Sequence, residues 1–250
     1  WQDDSYTNAS DLAGWYGPAM NIHRSHFLGR TFEYYSEDGI LGGYMAAAVV
    51  GGAQSKGLNC WIKHFVLNDQ EIYRKGINTY CTEQALRETY CKPFQMAIQE
   101  GNATGIMTAF NRIGVVYAAV NVPLLKNVLR GEWGFLGFVE TDYFGVYGYM
   151  TADQAVRNGG DLMLCTTGND YNNVTVLTNS SKQAMRTSAK NILYTVVNSR
   201  AYEAENLNPG MAKWKVIMIG ADVVAALLIV GLEYTAIKNY KKRKEEEEEV

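Results

Sequence analysis

Residues Gly137-Phe-Val-Glu-Thr-Asp-Tyr143 constrain this chain more than any other segment. The apolar run after Gly-Glu-Trp-Gly-Phe135 reads as a short buried strand. It ends in the carboxylate of Asp142, followed by an aromatic side chain. Parallel α/β folds gather their chemistry at the C-terminal ends of such strands. Because Asp at a strand end also serves turns and helix caps, the reading draws its weight from three upstream segments. These are Trp15-Tyr-Gly-Pro-Ala-Met-Asn-Ile-His-Arg24, Gly29-Arg-Thr-Phe-Glu33 and Lys63-His-Phe-Val-Leu-Asn-Asp-Gln-Glu71.

Strand-like and helix-like segments alternate along residues 1–205. Tyr16–Ile22, Leu58–Phe65, Gly105–Phe110, Phe138–Asp142 and Leu162–Cys165 read as short strands. Gly39–Ser55, Thr82–Glu100, Pro123–Glu132, Thr151–Asn158 and Ser181–Ser199 read as helices, the second with Leu86, Tyr90, Phe94 and Ile98 on one side. This order argues for a parallel sheet with crossover helices. A closed barrel needs eight strands, so the fold expected is α/β, an incomplete (β/α)8 barrel.

The chain has 250 residues, 47% hydrophobic and 20% charged, which is a globular composition. Its net charge of -3 gives no reason to expect a nucleic-acid partner. Cys60, Cys81, Cys91 and Cys165 show no metal-ligand or redox spacing; a Cys81–Cys91 bridge is open to an extracellular domain. No metal-ligand pattern joins the three histidines either, so no cofactor is expected. The first residue is Trp1 rather than Met, and further residues are expected to have preceded it.

The last forty or so residues differ in kind. Val216–Leu232 is apolar except for Asp222, with Trp214 and Tyr234 at its ends and Lys238, Lys241, Lys242, Arg243 and Lys244 beyond. A transmembrane helix over 214–237 is expected, with a linker over 206–213 and a charged tail over 238–250. The basic cluster places that tail in the cytoplasm and the preceding domain outside. Asp222 departs from a plain anchor and would pair with another helix or be locally hydrated.

With Met107-Thr-Ala-Phe-Asn-Arg112 added, the motifs run in register from about residue 14 to 200. Together they resemble the barrel domain of glycoside hydrolase family 3, β-glucosidase type. The resemblance implies a retaining hydrolase of terminal β-linked glucosyl residues, with Asp142 as nucleophile. It places Arg30, Lys63, His64 and Arg74 on the sugar of the first subsite, Met107 and Phe110 in its wall and Tyr143 against a sugar face. Arg30 could instead pair with Glu33, and Asn111 and Asp161 read as architectural. His23 and His26 read as loop residues.

The chain also departs from the family pattern. His26 and Leu28 stand where Pro and Gly are expected, which alters the freedom of the loop carrying Arg30. Glu140 stands where Val or Ile is usual. On one strand face with Asp142 it would be protonated or raise the pKa of Asp142, and Glu140→Val is expected to leave activity equal or higher. The first barrel strands, expected before Trp1, and the acid/base domain are missing. The resemblance therefore implies the C-terminal part of a domain-permuted, membrane-anchored enzyme with its acid/base domain upstream. The alternatives are a sugar-binding remnant without turnover, a structural membrane protein, and a β-xylosidase or N-acetylglucosaminidase specificity.

Overall fold

The computed structural model describes residues 12–144, 149–165, 172–202, 211 and 213–248. The chain divides into two units between Asn206 and Leu207. In chain order the first holds β1 (Gly14–Trp15), α1 (Gly39–Gln54), β2 (Asn59–Phe65), β3 (Asn78–Thr79) and α2 (Glu83–Ala85). A π-helical turn, Leu86–Tyr90, leads into α3 (Lys92–Gln99), followed by β4 (Gly105–Thr108), β5 (Arg112–Ile113) and β6 (Val116–Tyr117). After a second π-helical stretch, Pro123–Glu132, come β7 (Phe138–Glu140), α4 (Ala152–Asn158) and α5 (Asn179–Val197).

Strands β1, β2, β4 and β7 form one parallel sheet in that order. Helical segments separate each from the next, as parallel neighbours require. Ile62, Ile106 and Val139 pair across β2, β4 and β7 and are fully buried beneath Val50, Phe94, Leu125 and Leu129. The α/β class is therefore observed, as a four-stranded sheet and not a closed barrel. Two expected strands are corrected. Tyr16–Ile22 joins the sheet only through an isolated bridge from Ala19 to Lys63, with a second from Ile22 to Ser36 outside it, and Leu162 through one bridge to Glu140. The cis Gly17–Pro18 bond lies within the first of these segments. Nor did the apolar pattern announce the small sheet β3-β5-β6, whose strands are two residues each.

Helix positions follow local chemistry. Asp38 caps α1 by accepting from the Ile40 and Leu41 amides at 2.7 and 3.1 Å. Thr151 and Gln154 close a capping box on α4. The helix expected over Thr82–Glu100 is one apolar stripe with a π turn inside it, and Phe94 and Ile98 are buried as its periodicity requires. All four cysteines are free, so Cys81 and Cys91 form no bridge.

The second unit contains α6 (Lys213–Glu248). Its stretch Trp214–Lys244 is long and apolar enough to cross a bilayer. Most of the expected linker and the last residues of the tail lie outside the described residues.

Close approach of backbones fixes where β7 starts. A Cβ on Gly137 would overlap the carbonyl oxygen of Thr104, which cannot swing away as a side chain could. Gly51, on the exposed side of α1, has nothing near it. Gly137→Ala is expected to lower stability by about 1–3 kcal/mol. Gly51→Ala is expected to raise it by about 0.5–1 kcal/mol. Thermal unfolding of the two variants checks both signs.

Candidate active site

The described polar groups converge at the C-terminal ends of the parallel strands. Asp142 lies two residues beyond β7, buried to 7% exposure. Its Oδ1 accepts from the Tyr143 amide at 2.6 Å, and its Oδ2 has no hydrogen-bond partner among the described residues. The imidazole Nε2 of His64, near the end of β2, stands 3.7 Å from that Oδ2. Burial, then the charges of Arg30, Lys63 and Arg74, hold the His64 pKa well below its usual range. His64 is thus neutral at pH 7, and its approach to Asp142 is that of a dipole rather than a cation.

Two anchors fix His64. The side-chain amide of Asn21 donates to the His64 carbonyl at 2.8 Å, while its oxygen accepts from the His64 amide at 2.7 Å. Tyr34 OH lies 3.5 Å from Nδ1 and accepts from Asn68 at 3.2 Å. Lys63 and His64 are neighbours in β2, where strict alternation would send them to opposite faces. The ladder to β4 shifts register between Ile62 and Phe65, and the alternation fails there.

Three cations surround the carboxylate, each engaged by an acid. Arg30 pairs with Glu33 and lies 3.9 Å from Glu71. Lys63 Nζ lies 3.5 Å from Glu33, and Arg74 pairs with Glu71 at 2.8 Å. The pairing of Arg30 with Glu33 weighed from the sequence is therefore formed. The guanidinium of Arg74 sits 4.3 Å from the ring centre of Phe110, a cation–π distance. Burial raises the Asp142 pKa, opposed by the Tyr143 amide and then by Arg74, Arg30 and Lys63.

A cavity of about 410 Å³ opens beside this cluster, lined by Trp15, Tyr16, Phe32, Tyr35, Arg30, Glu33 and Lys63. A larger one, about 590 Å³, lies along α5 beside Arg130 and Asp161. That cavity lies away from Asp142, and Asp161 has a structural role. Asp161 pairs with Arg130 at 2.7 Å, accepts from the Val139 amide at 2.8 Å and from Asn191 at 3.0 Å. Asn111 likewise donates to the Val66 carbonyl at 3.1 Å.

Of the residues singled out in the sequence, Asp142, His64, Lys63, Arg30, Arg74 and Phe110 come together here. Met107 is buried on β4 and Tyr143 is half-buried beside Asp142. His26 is exposed. Leu28, in place of the expected Gly, is buried with Ala19 and Tyr34 and anchors the loop of Arg30. Sequence reasoning missed Asn21, Tyr34, Asn68 and the bridging role of Glu71. The signal available was their position within the same upstream segments.

Glu140 is buried to 6% exposure, and burial followed by the charge of Asp142 raises its pKa to about 8. Its unfolded counterpart ionises in the ordinary carboxylate range near 4.5. Between those values the folded chain binds the extra proton, so stability falls as pH rises from about 4.5 to 8. Glu140→Gln removes that loss. Its melting temperature is expected to exceed the parent's by several degrees at pH 8 and by little at pH 4.5, as read by circular dichroism.

Residues 2–193 match the model described as the glycosyl hydrolase family 3 N terminal domain. Beta-glucosidase B of Emericella nidulans is 46% identical over 145 residues, which are 58% of this chain and 17% of that protein. The probable beta-glucosidase J of Aspergillus fumigatus is 44% identical over 146 residues, 58% of this chain and 16% of that protein. Beta-glucosidase 3B of Thermotoga neapolitana, solved with alpha-D-glucose, superposes with a TM-score of 0.68 at 35% identity, over 77% of this chain and 28% of that one. The chain thus spans less than a third of each of these proteins. The matching model is that of the family's N-terminal domain, which corrects the expected placement as the C-terminal part of a permuted protein.

Proposed function

The chain belongs to glycosyl hydrolase family 3, and from that premise we propose that its site is the sugar-binding and nucleophile half of a retaining β-glucosidase. The observation that carries the proposal is the buried Asp142 carboxylate, one oxygen unpartnered among the described residues, facing a neutral imidazole and ringed by three cations. In this reading Asp142 attacks the anomeric carbon of a terminal β-glucosyl residue as the aglycone oxygen leaves. The resulting ester is later opened by water, and the β configuration is restored.

The surrounding groups have distinct tasks. The Tyr143 amide fixes one carboxylate oxygen and leaves the other for the sugar. Arg30, Lys63 and Arg74 keep Asp142 ionised against the cost of its burial and offer donors to sugar hydroxyls. His64, held neutral, supplies a donor that does not quench the nucleophile. Met107, Phe110 and Tyr143 supply the wall. The fold proposed for the intact protein is a (β/α)8 barrel whose remaining strands lie outside this chain.

A retaining mechanism needs a second carboxyl group to protonate the leaving oxygen. We assign that group to a further domain of the full-length protein, so this chain alone carries out the first step only with an activated leaving group. A second reading is sugar binding without turnover. It is favoured by the carboxylates of Glu33 and Glu71, which already engage every cation intended for the ligand.

For the second unit we propose a single membrane span within 214–237, with the basic segment on the cytoplasmic side and the glycosidase domain outside. Asp222 would pair with another helix at that depth.

Two measurements test these readings. Incubation with a 2-fluoroglucoside bearing an activated leaving group should add one sugar to the chain, mapped by peptide mass to Asp142, and Asp142→Asn should take no label. Absence of label from folded protein that still binds glucose favours the second reading. Alkaline carbonate extraction should leave the chain in the membrane pellet, while a chain ending at residue 205 should move to the supernatant.

A further inference from the structure

Three acids are buried among the described residues, and their surroundings differ. Asp161 is paired with Arg130, and Asp142 faces His64. Among the described residues Glu140 has no ion pair, and its Oε2 is buried without a hydrogen-bond partner. Resting on the reading of Asp142 as nucleophile, we propose that Glu140 and Asp142 form a coupled acid pair holding one proton at neutral pH. Glu140 is the proton holder, a positioning residue that leaves the charge on Asp142.

The geometry comes from the sheet. Glu140 ends β7 and Asp142 follows two residues later; both are buried, and Oε2 of the first and Oδ2 of the second lack a hydrogen-bond partner among the described residues. Across the ladder Glu140 is in register with Met107 of β4, and β2 lies on the far side of β4. The groups packed against Glu140 give it little to ionise against. Met107, Thr108 and Leu162 are uncharged, and Thr108 spends its hydroxyl on the Glu140 carbonyl at 3.0 Å. Tyr16, from the segment after β1, is kept protonated by burial first and offers Glu140 no positive charge. The Lys63 ammonium is turned to Glu33 at 3.5 Å. One buried carboxyl next to another, with cations drawn to only one of them, divides the roles: the cation-facing acid carries the charge and the other keeps the proton. The direction of the Glu140 shift agrees with this division.

Coupling of this kind is reciprocal. When Asp142 becomes a neutral glycosyl ester, the repulsion that keeps Glu140 protonated disappears and Glu140 releases its proton more readily. Conversely, ionised Glu140 repels the negative charge that develops on the departing Asp142 carboxylate in the transition state for hydrolysis. The covalent sugar is therefore held longer above neutral pH. Glu140 thereby becomes a pH-dependent hold on the bound sugar.

The test uses the full 250-residue chain in detergent micelles, with ¹³C at the glutamate carboxyl carbons. The Glu140 signal is assigned by its loss in Glu140→Gln. It should titrate well above the ordinary carboxylate range, and about one pH unit or more lower in Asp142→Asn. The chain labelled by the 2-fluoroglucoside should show the same downward shift, which covers failure of Asp142→Asn to fold. The half-life of the labelled chain should lengthen several-fold from pH 7 to 9, and be flat in Glu140→Gln. An ordinary Glu140 titration, or one indifferent to the state of Asp142, overturns the pair. If no variant takes label but the Asp142→Asn shift appears, the pair stands and the nucleophile reading fails, so the two failures are separable.

Discussion

Three cations gathered round one buried carboxylate repel one another, and the site exists because Glu33 and Glu71 hold them in place. Arg30 touches both acids, Lys63 the first and Arg74 the second. The acids come from two loops that follow different strands, so the ion pairs also tie the segment after β1 to the segment after β2. The Glu71 amide donates to the Leu28 carbonyl at 3.2 Å and adds a backbone link between the same loops. Partial burial makes each pair costly to break from one side only. The network thereby sets the field at Asp142 and the path of the backbone around it.

The parallel sheet explains why these loops meet. In βαβ units every strand points the same way, so the segments that follow them crowd one edge. Ile62, Ile106 and Val139 hold the sheet to its helices, and the opposite face is left to Trp61, Phe138 and Glu140. Strand β1, two residues long, is one end of the four-stranded sheet among the described residues.

Much of this was legible in the sequence because it rests on short-range signals. The apolar runs at β2, β4 and β7 and the stripe from Leu86 to Ile98 were visible as periodicity. The convergence of Asp142, Lys63, His64 and Arg74 was legible only through motifs in register, since nothing local places residue 64 beside residue 142. What escaped was non-local or too short to have a period. The two-residue strands of the small sheet carry no alternation to read. The irregular course of Tyr16–Ile22 defeats an apolar run that otherwise looks like a strand. Asn21 and Tyr34 were invisible because their partners lie some 43 and 30 residues away in sequence.

Asn21 shows how narrow the tolerance of such a site is to chemical ageing. Its carboxamide stands in for a neighbouring strand, giving one donor and one acceptor to the two peptide groups of His64. Deamidation replaces the donating nitrogen with oxygen and changes the mass by about one dalton. The His64 carbonyl would then face a carboxylate instead of an N–H. Every contact of Asp142 could survive while the group opposite it is turned out of line. The alignment of the group opposite Asp142 thus depends on an amide whose hydrogen bonds go to backbone alone.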